Sequence, residues 1–257
     1  MKKILLSGAA LVSVLAMASP ANAAAIYMTG TSNPWGTTTN DGAMDAAFGA
    51  GSWTKVMGFD GSVFNPANSF IFFDGSDSNG IQFASFLAAN MASLTSFVNS
   101  GGKVFSNIAT NVGPATLDLG FGYTSTWPQF STTAALTAAG ITAGLGADGA
   151  GNAWTGNDFG HNINTGGTGA CYVLGNSGCV FAGGAEGSGA YFVGGQTTTN
   201  FHSGGGFELR VNELRLASQA GPGAVPEPST WALMIGGFGA IGGTMRYRRR
   251  KTTVAFA

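Results

Sequence analysis

Apolar runs separated by turn residues mark the first part of the chain as a succession of strands and helices. Three runs have the composition of strands: AAIYMTG, SWTKVMGF and NSFIFFDGS. The last of these is almost free of polar residues, which is typical of a strand buried on both faces of a parallel sheet. Between the first two runs, Asp41 and Gly49 mark the start and the end of a short predicted helix.

The strongest helical pattern covers residues 80–100. Apolar residues recur there at spacings of three and four and form one stripe: Phe83, Phe86, Leu87, Met91, Leu94, Phe97 and Val98. Asp77, Ser78 or Asn79 can cap the start of this helix, and a Gly pair ends it. The run KVFSNIAT follows as a strand, so strand, helix and strand predict a βαβ unit with a right-handed crossover.

The pattern is weaker beyond residue 110. STTAALTAAG (131–140) predicts a helix between Ser131 and Gly140, and residues 142–169, rich in Gly, Asn and Thr, predict long loops. CYVL, CVFAGG and AYFVGG predict short strands, whereas FELRVNELRLAS (207–218) fits either a strand or a final helix. Together the elements indicate an α/β domain.

The first 23 residues have the three parts of a secretory signal peptide. Lys2 and Lys3 form a basic start, Ile4–Met17 is apolar, and Ala21 and Ala23 flank the small-residue cleavage site. A transmembrane helix is the alternative, but the apolar run is too short for one. The chain is therefore predicted to be exported.

Charge is distributed unevenly along the chain. The formal net charge is -1, yet residues 24–224 hold four basic and eleven acidic residues, and five basic residues follow residue 245. The exported part therefore carries a net charge of about −7. Nucleic acid is excluded as a partner, because binding to phosphates needs clustered Lys and Arg.

The two cysteines lie at the ends of CYVLGNSGC, whose pattern predicts a hairpin around Gly-Asn-Ser-Gly. Cys171 and Cys179 are predicted to form a local disulfide in an oxidising compartment. The alternatives are two reduced thiols or a metal site, and the sequence places no His or further Cys beside them.

Two longer stretches carry a family resemblance. FIFFDGSDSNGIQFASFLAANMASLTSFVNSGGKVFSNIA and the later TTTNFHSGGGFELRVNELRLA resemble the class I glutamine amidotransferase-like superfamily. The resemblance implies a flavodoxin-like, mostly parallel sheet flanked by helices. Catalytic members carry a Cys on a Gly-flanked turn, where this chain has Ser106, Asn107 and Ile108, and no G-x-S-x-G motif replaces it. The resemblance therefore implies the fold and argues against amidotransferase chemistry.

The candidate chemical groups are few. His161 and His202 are the only histidines, and a triad of Ser106, His202 and Asp74 can be drawn. The alternative for these loop residues is a set of local turn hydrogen bonds. We predict no catalytic residues and no cofactor.

Acidic and aromatic residues allow two further interpretations. Asp60, Asp74 and Asp77 are expected near the carboxyl ends of strands, where open α/β sheets bind ligands. DGSDSNG (74–80) has oxygen ligands suited to Ca²⁺ but lacks the required spacing, and helix capping explains the same residues, so no metal is predicted. Four tryptophans can stack on sugar rings or fill the core: Trp35, Trp53, Trp127 and Trp154.

The C-terminal tail combines a Pro-Glu-Pro tripeptide, an uncharged run and a basic end. The run 231–245 would span about 22 Å as a helix, against roughly 30 Å for the hydrocarbon core of a bilayer. A basic cluster would hold its far end in the cytoplasm: Arg246, Arg248, Arg249, Arg250 and Lys251. We predict a single transmembrane helix here.

This tail resembles the PEP-CTERM sorting signal in its P-E-P-x-x-W-A variant. The matching residues are Pro226, Glu227, Pro228, Trp231 and Ala232, followed by the basic cluster. The resemblance implies recognition and removal of the tail by an exosortase, a membrane transpeptidase-like enzyme. It also implies a Gram-negative bacterium that makes extracellular polysaccharide.

The predicted organisation is a signal peptide (1–23), an exported α/β domain (24–218), a linker (219–225) and a sorting tail (226–251). The leading hypothesis is a non-enzymatic protein of the cell surface or extracellular matrix, anchored at the inner membrane before delivery. Its predicted partners are the export machinery, an exosortase, the membrane and extracellular polysaccharide. The alternative is an exported hydrolase that uses loops near Asp74, Ser106 and His202.

Overall fold

The structure is a computed structural model that describes residues 24–146, 151–201 and 205–221. The strands in this part of the chain are β1 (Ala24–Thr29), β2 (Trp53–Met57), β3 (Asn68–Asp74), β4 (Lys103–Asn107), β5 (Thr116–Gly120), β6 (Tyr123–Thr126), β7 (Ser131–Leu136), β8 (Ala153–Gly160), β9 (Ile163–Gly166), β10 (Ala170–Gly175), β11 (Gly178–Glu186) and β12 (Gly189–Gly194). The helices are α1 (Thr39–Phe48), α2 (Gly80–Asn99), α3 (Ala138–Thr142) and α4 (Gly206–Gln219). The predicted signal peptide, the linker beyond residue 221 and the sorting tail lie outside the described residues.

A mixed sheet of nine strands organises the domain, in the order β2-β1-β3-β4-β12-β11-β10-β7-β8. The first five strands pair in parallel, and the remaining pairs, from β12 to β8, are antiparallel. A second sheet contains β5, β6 and β9. The α/β prediction is confirmed, but the sheet is mixed and not mostly parallel, because four antiparallel strands extend its β12 side.

Helices cover the parallel half of the sheet on both faces. On one face, α1 and α4 pack over Tyr27, Phe72 and Phe105. On the other face, α2 and the small sheet pack over Ile71, Phe73 and the other strand residues whose side chains alternate to that side. The sequence NSFIFFD supplies large side chains to both cores, which explains why β3 has no polar face.

Helix α2 follows the predicted apolar stripe. Its buried residues include Phe83, Leu87, Leu94 and Val98, and Asn79 is the N-cap. Among the described residues, α2 is the one helix long and apolar enough to cross a membrane. Its stripe packs against the sheet, as the core helix of a folded domain does.

The middle of the chain corrects two predictions. Residues 131–136 form β7 and not the start of a helix, because Thr133 and Ala134 pair with β8, and Ala135 pairs with β10. A short helix follows, with Thr137 accepting a hydrogen bond from the Gly140 amide. Cross-strand pairing outweighs the helix propensity of the alanines.

The stretch predicted as long loops, 142–169, contains β8 and β9. Trp154 and Phe159 bring large buried side chains to β8, although Gly, Asn and Thr dilute the hydrophobic pattern. Of the two alternatives for 207–218, strand or helix, the structure has the helix: α4 covers 206–219 and buries Leu209 and Leu214.

The predicted hairpin and disulfide are present. Strands β10 and β11 pair antiparallel around Asn176 and Ser177, and the Cys171–Cys179 bond joins them with a Cα–Cα distance of 5.9 Å. The cross-link closes a loop with a sequence separation of 8.

Replacing both cysteines with Ser should lower the free energy of unfolding by about 2–3 kcal/mol, because the bond restricts a short loop of the unfolded chain. Urea denaturation of the purified domain measures this. Reductant should lower the stability of the wild type by the same amount and leave the double variant unchanged. Equal stability of the two oxidised proteins would contradict the prediction.

Candidate functional site

The carboxyl ends of the parallel strands meet in a buried polar region. In the paired strands, Thr29 lies beside Asp74, Asp74 beside Asn107, and Asn107 beside Gly194. This edge of the sheet, called here the carboxyl edge, is where open α/β sheets bind ligands. Polar residues replace the apolar strand interiors at this edge, so it is the natural candidate site.

Asp74 is the centre of this region and is fully buried. Its Oδ2 accepts a hydrogen bond from Asn40 Nδ2 at 2.6 Å, and its Oδ1 accepts from the Ser76 amide at 3.2 Å and from Asn107 Nδ2 at 3.4 Å. Burial raises the pKa of Asp74, although hydrogen bonds from Ser76 and the charge of Arg210 oppose this shift. The carboxyl group joins the loop after β3 and the end of β4 to α1.

The Asn107 side chain extends this network to β12. Its Nδ2 donates to Ser76 Oγ at 3.0 Å and to the Gln196 carbonyl at 2.9 Å, and its Oδ1 accepts from the Gln196 amide at 3.3 Å. The Ser76 hydroxyl also accepts from the Ala109 amide at 3.0 Å. One amide therefore joins the ends of three neighbouring strands, which is a structural role.

Arg210 lies beneath this network, on α4, and is fully buried. Its guanidinium group is 5.6 Å from the centre of the Phe72 ring and 5.3 Å from that of Phe105, in the range of cation–π contacts. Its Nη2 donates to the carbonyls of Gln196 and Thr197 at 3.2 and 3.4 Å.

Glu213 is the acidic partner of Arg210. The two side chains approach to 3.2 Å between Nη1 and Oε2, and both are fully buried. This contact is close enough for an ion pair, but its angles do not make a hydrogen bond, and neither carboxylate oxygen has one among the described residues. Burial raises the pKa of Glu213 to about 7, and the charge of Arg210 offsets only part of that effect. Glu213 is therefore a carboxyl group that titrates near neutrality.

The structure separates Ser106 from Asp74. Side chains alternate between the faces of a strand, and Ser106 pairs with Phe73, one residue before Asp74. Ser106 therefore points to the α2 face, where its hydroxyl accepts a hydrogen bond from Tyr191 at 3.0 Å. Ser106 and Asp74 lie on opposite faces of the sheet and cannot share a triad. His202 lies outside the described residues.

His161 lies at the same edge, on the turn between β8 and β9. Its Nδ1 donates to the Thr110 carbonyl at 3.2 Å, and the ring lies edge-on to Trp35 and Phe130, with centroids 5.6 and 4.9 Å away. Burial lowers the pKa of His161, so the neutral ring predominates at pH 7. Nδ1 carries the proton in this arrangement, which leaves Nε2 as a lone-pair acceptor.

Asp60 and Asp77 have different positions. Asp60 is exposed, and it accepts hydrogen bonds from the amide and hydroxyl of Ser62 that lower its pKa. Asp77, with a positive φ of 57°, accepts from the Trp35 amide at 2.9 Å and from Asn111 Nδ2 at 3.1 Å. Asp77 therefore binds three carboxyl-edge loops together, while Asp60 only caps a turn.

Of the four tryptophans considered, one lies in the core and three are partly exposed. Trp154 is fully buried, so the core interpretation is correct for it. Trp35, Trp53 and Trp127 are half-buried. Trp53 Nε1 donates to Asp45 at 2.8 Å, and Trp35 packs against His161 and Phe201.

No role in the site was predicted from the sequence for Arg210, Glu213, Asn40 or Asn107. A signal for Arg210 exists, because residues 210, 213, 214 and 217 share one face of a helix with the apolar residues of α4. Because the sequence left 207–218 as either a strand or a helix, this helical spacing could not be used. Asn40 and Asn107 are ordinary polar residues next to apolar runs, and only tertiary packing assigns them a partner.

The described residues contain no group of three or more His, Cys, Asp or Glu side chains placed to hold a metal ion. The sheet edge opposite the Asp74 network, called here the amino edge, carries an open groove of about 630 Å³. Its lining includes Phe64, Asn68, Phe97 and Gly101, and none of its lining residues is charged. The groove is therefore separate from the buried polar region.

Comparison with known proteins identifies the tail. Residues 224–251 match the PEP-CTERM protein-sorting motif, in agreement with the resemblance found in the sequence. This motif supports an exported protein that is sorted by an exosortase and held at the membrane before processing. No curated protein matches the chain.

Solved structures share parts of the fold at low identity. A GMP synthase subunit from Thermoplasma acidophilum is 9% identical, with a TM-score of 0.48, covering 76% of this chain and 94% of its own. A ThuA-like protein from Parabacteroides merdae is 13% identical, with a TM-score of 0.40, covering 79% of this chain and 92% of its own.

A cold-adapted β-galactosidase from Rahnella sp. R3 is 8% identical, with a TM-score of 0.42. The alignment covers 73% of this chain but only 30% of the galactosidase. All three are similarities of fold.

Replacing Glu213 with Gln should make the stability of the domain less dependent on pH. The pKa of Glu213 is raised from 4.5 to about 7 by folding, so its contribution to stability is complete below pH 4.5 and is lost as pH rises through 7. Between pH 4 and pH 8 the wild type should lose roughly 3 kcal/mol more than Glu213→Gln. Urea denaturation at a series of pH values measures the difference.

The matched control is Glu208→Gln in the first turn of the same helix, where the side chain is only half-buried. Its pH profile should follow that of the wild type. Parallel profiles for the wild type and Glu213→Gln would show that Glu213 does not titrate in this range.

Proposed function

We propose that this protein is exported, sorted through its C-terminal tail by an exosortase, and acts without catalysis at the cell surface or in the extracellular matrix. The match of residues 224–251 to the sorting motif carries this proposal. A signal-peptide sequence at the other end of the chain supports the same route. The tail would leave the domain once exosortase has acted.

The chemistry of the carboxyl edge supports a non-catalytic domain. Asp74 and Asn107 are enclosed, and their hydrogen bonds are made to the protein itself. Ser106 faces the opposite side of the sheet and bonds to Tyr191. A nucleophile needs an exposed position beside a general base, and the residues at this edge instead hold loops together.

The surface composition supports a hydroxyl-rich partner. The exported part carries few charges, a net charge of about −7 and many Ser, Thr, Asn and Gly residues. Such a surface disfavours polyanions and suits neutral or weakly charged polysaccharide, whose hydroxyl groups pair with small polar side chains. The Cys171–Cys179 disulfide fits an oxidising exterior.

Replacing Pro226, Glu227 and Pro228 together with Ala should leave the tail attached, because the recognition tripeptide is lost. Intact mass of the protein recovered from membranes and medium of the native host measures the result. The wild type should be recovered without its tail, and the variant should stay full-length in the membrane.

The control for this experiment is Pro222→Ala, a proline of the linker outside the matched motif. It should be processed as the wild type is. Recovery of only full-length wild-type protein from the membrane would contradict the sorting proposal. Equal processing of the Ala variant would show that exosortase does not recognise the tripeptide.

A catalytic domain would be revealed by separate variants. Purified domain would be assayed on ester, amide and glycoside substrates, together with Asp74→Asn and His202→Ala. We expect no turnover above background and no difference among the three proteins. Turnover that disappears in His202→Ala, while that variant keeps the wild-type melting temperature, would establish the hydrolase alternative.

A further inference from the structure

The domain begins at the amino edge of its sheet. Ala24, the first residue after the predicted signal peptide, opens β1 and pairs with Asn68, the first residue of β3. Its amide donates to the Ala67 carbonyl at 3.3 Å. The chain therefore enters the domain at the end of the parallel strands opposite Asp74.

The domain also ends at the amino edge. Helix α4 starts beside the carboxyl edge, where Arg210 bonds to the residues that follow β12. Its 14 residues extend for about 21 Å, enough to return along the strands. A Cβ atom on Gly221 would lie 4.0 Å from Lys103 Cε, and Lys103 is the first residue of β4.

The two ends are consequently close together. Strands β1 and β4 are separated only by β3, which places them about 10 Å apart in the sheet. Both the predicted signal peptide and the sorting tail thus connect to one edge of the domain. If the tail spans the membrane as the sorting proposal requires, the short linker would hold this edge, and not the Asp74 network, next to the bilayer.

The tether between the domain and the sorting tripeptide is short. Four residues, 222–225, separate Gly221 from Pro226, so a fully extended chain reaches about 17 Å. A domain of this size has a radius of gyration of about 16 Å. Pro226 therefore stays within about one domain radius of the amino edge, with the predicted span starting only three residues after Pro228.

We infer that the folded domain regulates its own processing, because exosortase has to reach the tripeptide in the narrow gap between the amino edge and the membrane. The inference rests on the sorting function proposed above. The partner surface is the amino edge, with its uncharged groove lined by Phe64, Asn68 and Gly101. Tether length sets the access of the enzyme, so the rate of tail removal depends on residues that lie outside the matched motif.

The experiment changes only the tether. One variant carries ten Gly and Ser residues inserted between Gly221 and Pro222, and a second lacks Pro222 and Gly223, which precede the match at 224–251. Pulse-chase labelling in the native host follows loss of the tail. Removal should be several-fold faster in the insertion variant and several-fold slower in the deletion variant than in the wild type.

The control variant carries the same ten residues between Gly113 and Pro114, in the loop that follows β4 at the carboxyl edge, and should be processed at the wild-type rate. Thermal melting of each purified domain verifies that folding is unchanged. Equal rates of tail removal in all tether variants would overturn this inference and leave the sorting function intact. Tail removal in none of the proteins, including the wild type, would overturn the sorting function itself.

Discussion

The guanidinium group of Arg210 is buried between α4 and the sheet, and each neighbouring element contributes to holding its charge there. Aromatic faces come from β3 and β4 through Phe72 and Phe105, and carbonyl groups come from the segment after β12. Glu213, in the next turn of α4, contacts the guanidinium group at 3.2 Å. A buried charge without such contacts is very costly, so these contacts favour the packing of α4 against β3, β4 and the segment after β12.

The same arrangement determines what the carboxyl edge can do. Arg210 and Asp74 lie in one core and influence each other electrostatically, and Asn40 and Asn107 satisfy the carboxyl group. In an enzyme of an open α/β fold, groups in this position would face a crevice. In this protein Asp74, Asn40 and Asn107 are buried at this edge and hydrogen-bond to one another.

Strong local patterns predicted the parallel half of the fold. The stripe from Phe83 to Val98 fixes α2, and the run NSFIFFD can only be a strand buried on both faces. Strands β7 and β8 were not predicted from the sequence because most of their residues are small or polar, and their structure depends on the pairing of β7 with β8 and with β10. Such pairing is a long-range interaction that a local sequence window does not contain.

The candidate site was predictable only in part. Asp74 follows an apolar strand, so its place at the carboxyl edge could be read from the sequence. Whether Ser106 can join Asp74 in a triad depends on the register between β3 and β4. That register pairs Asp74 with Asn107 and puts Ser106 on the other face of the sheet. The roles of Asn40 and Arg210 come from elements far away in the chain that packing brings together.

The position of α4 at the end of the domain has a consequence for export. One core lacks Leu209, Arg210 and Leu214 until this helix is in place, so folding cannot finish while residues before 219 are still crossing the membrane. Only eleven residues separate Gln219 from Trp231, where the predicted span begins. Under the sorting route proposed above, α4 would be the last part of the domain to cross the membrane, so the core would close only after the rest of the domain has been exported.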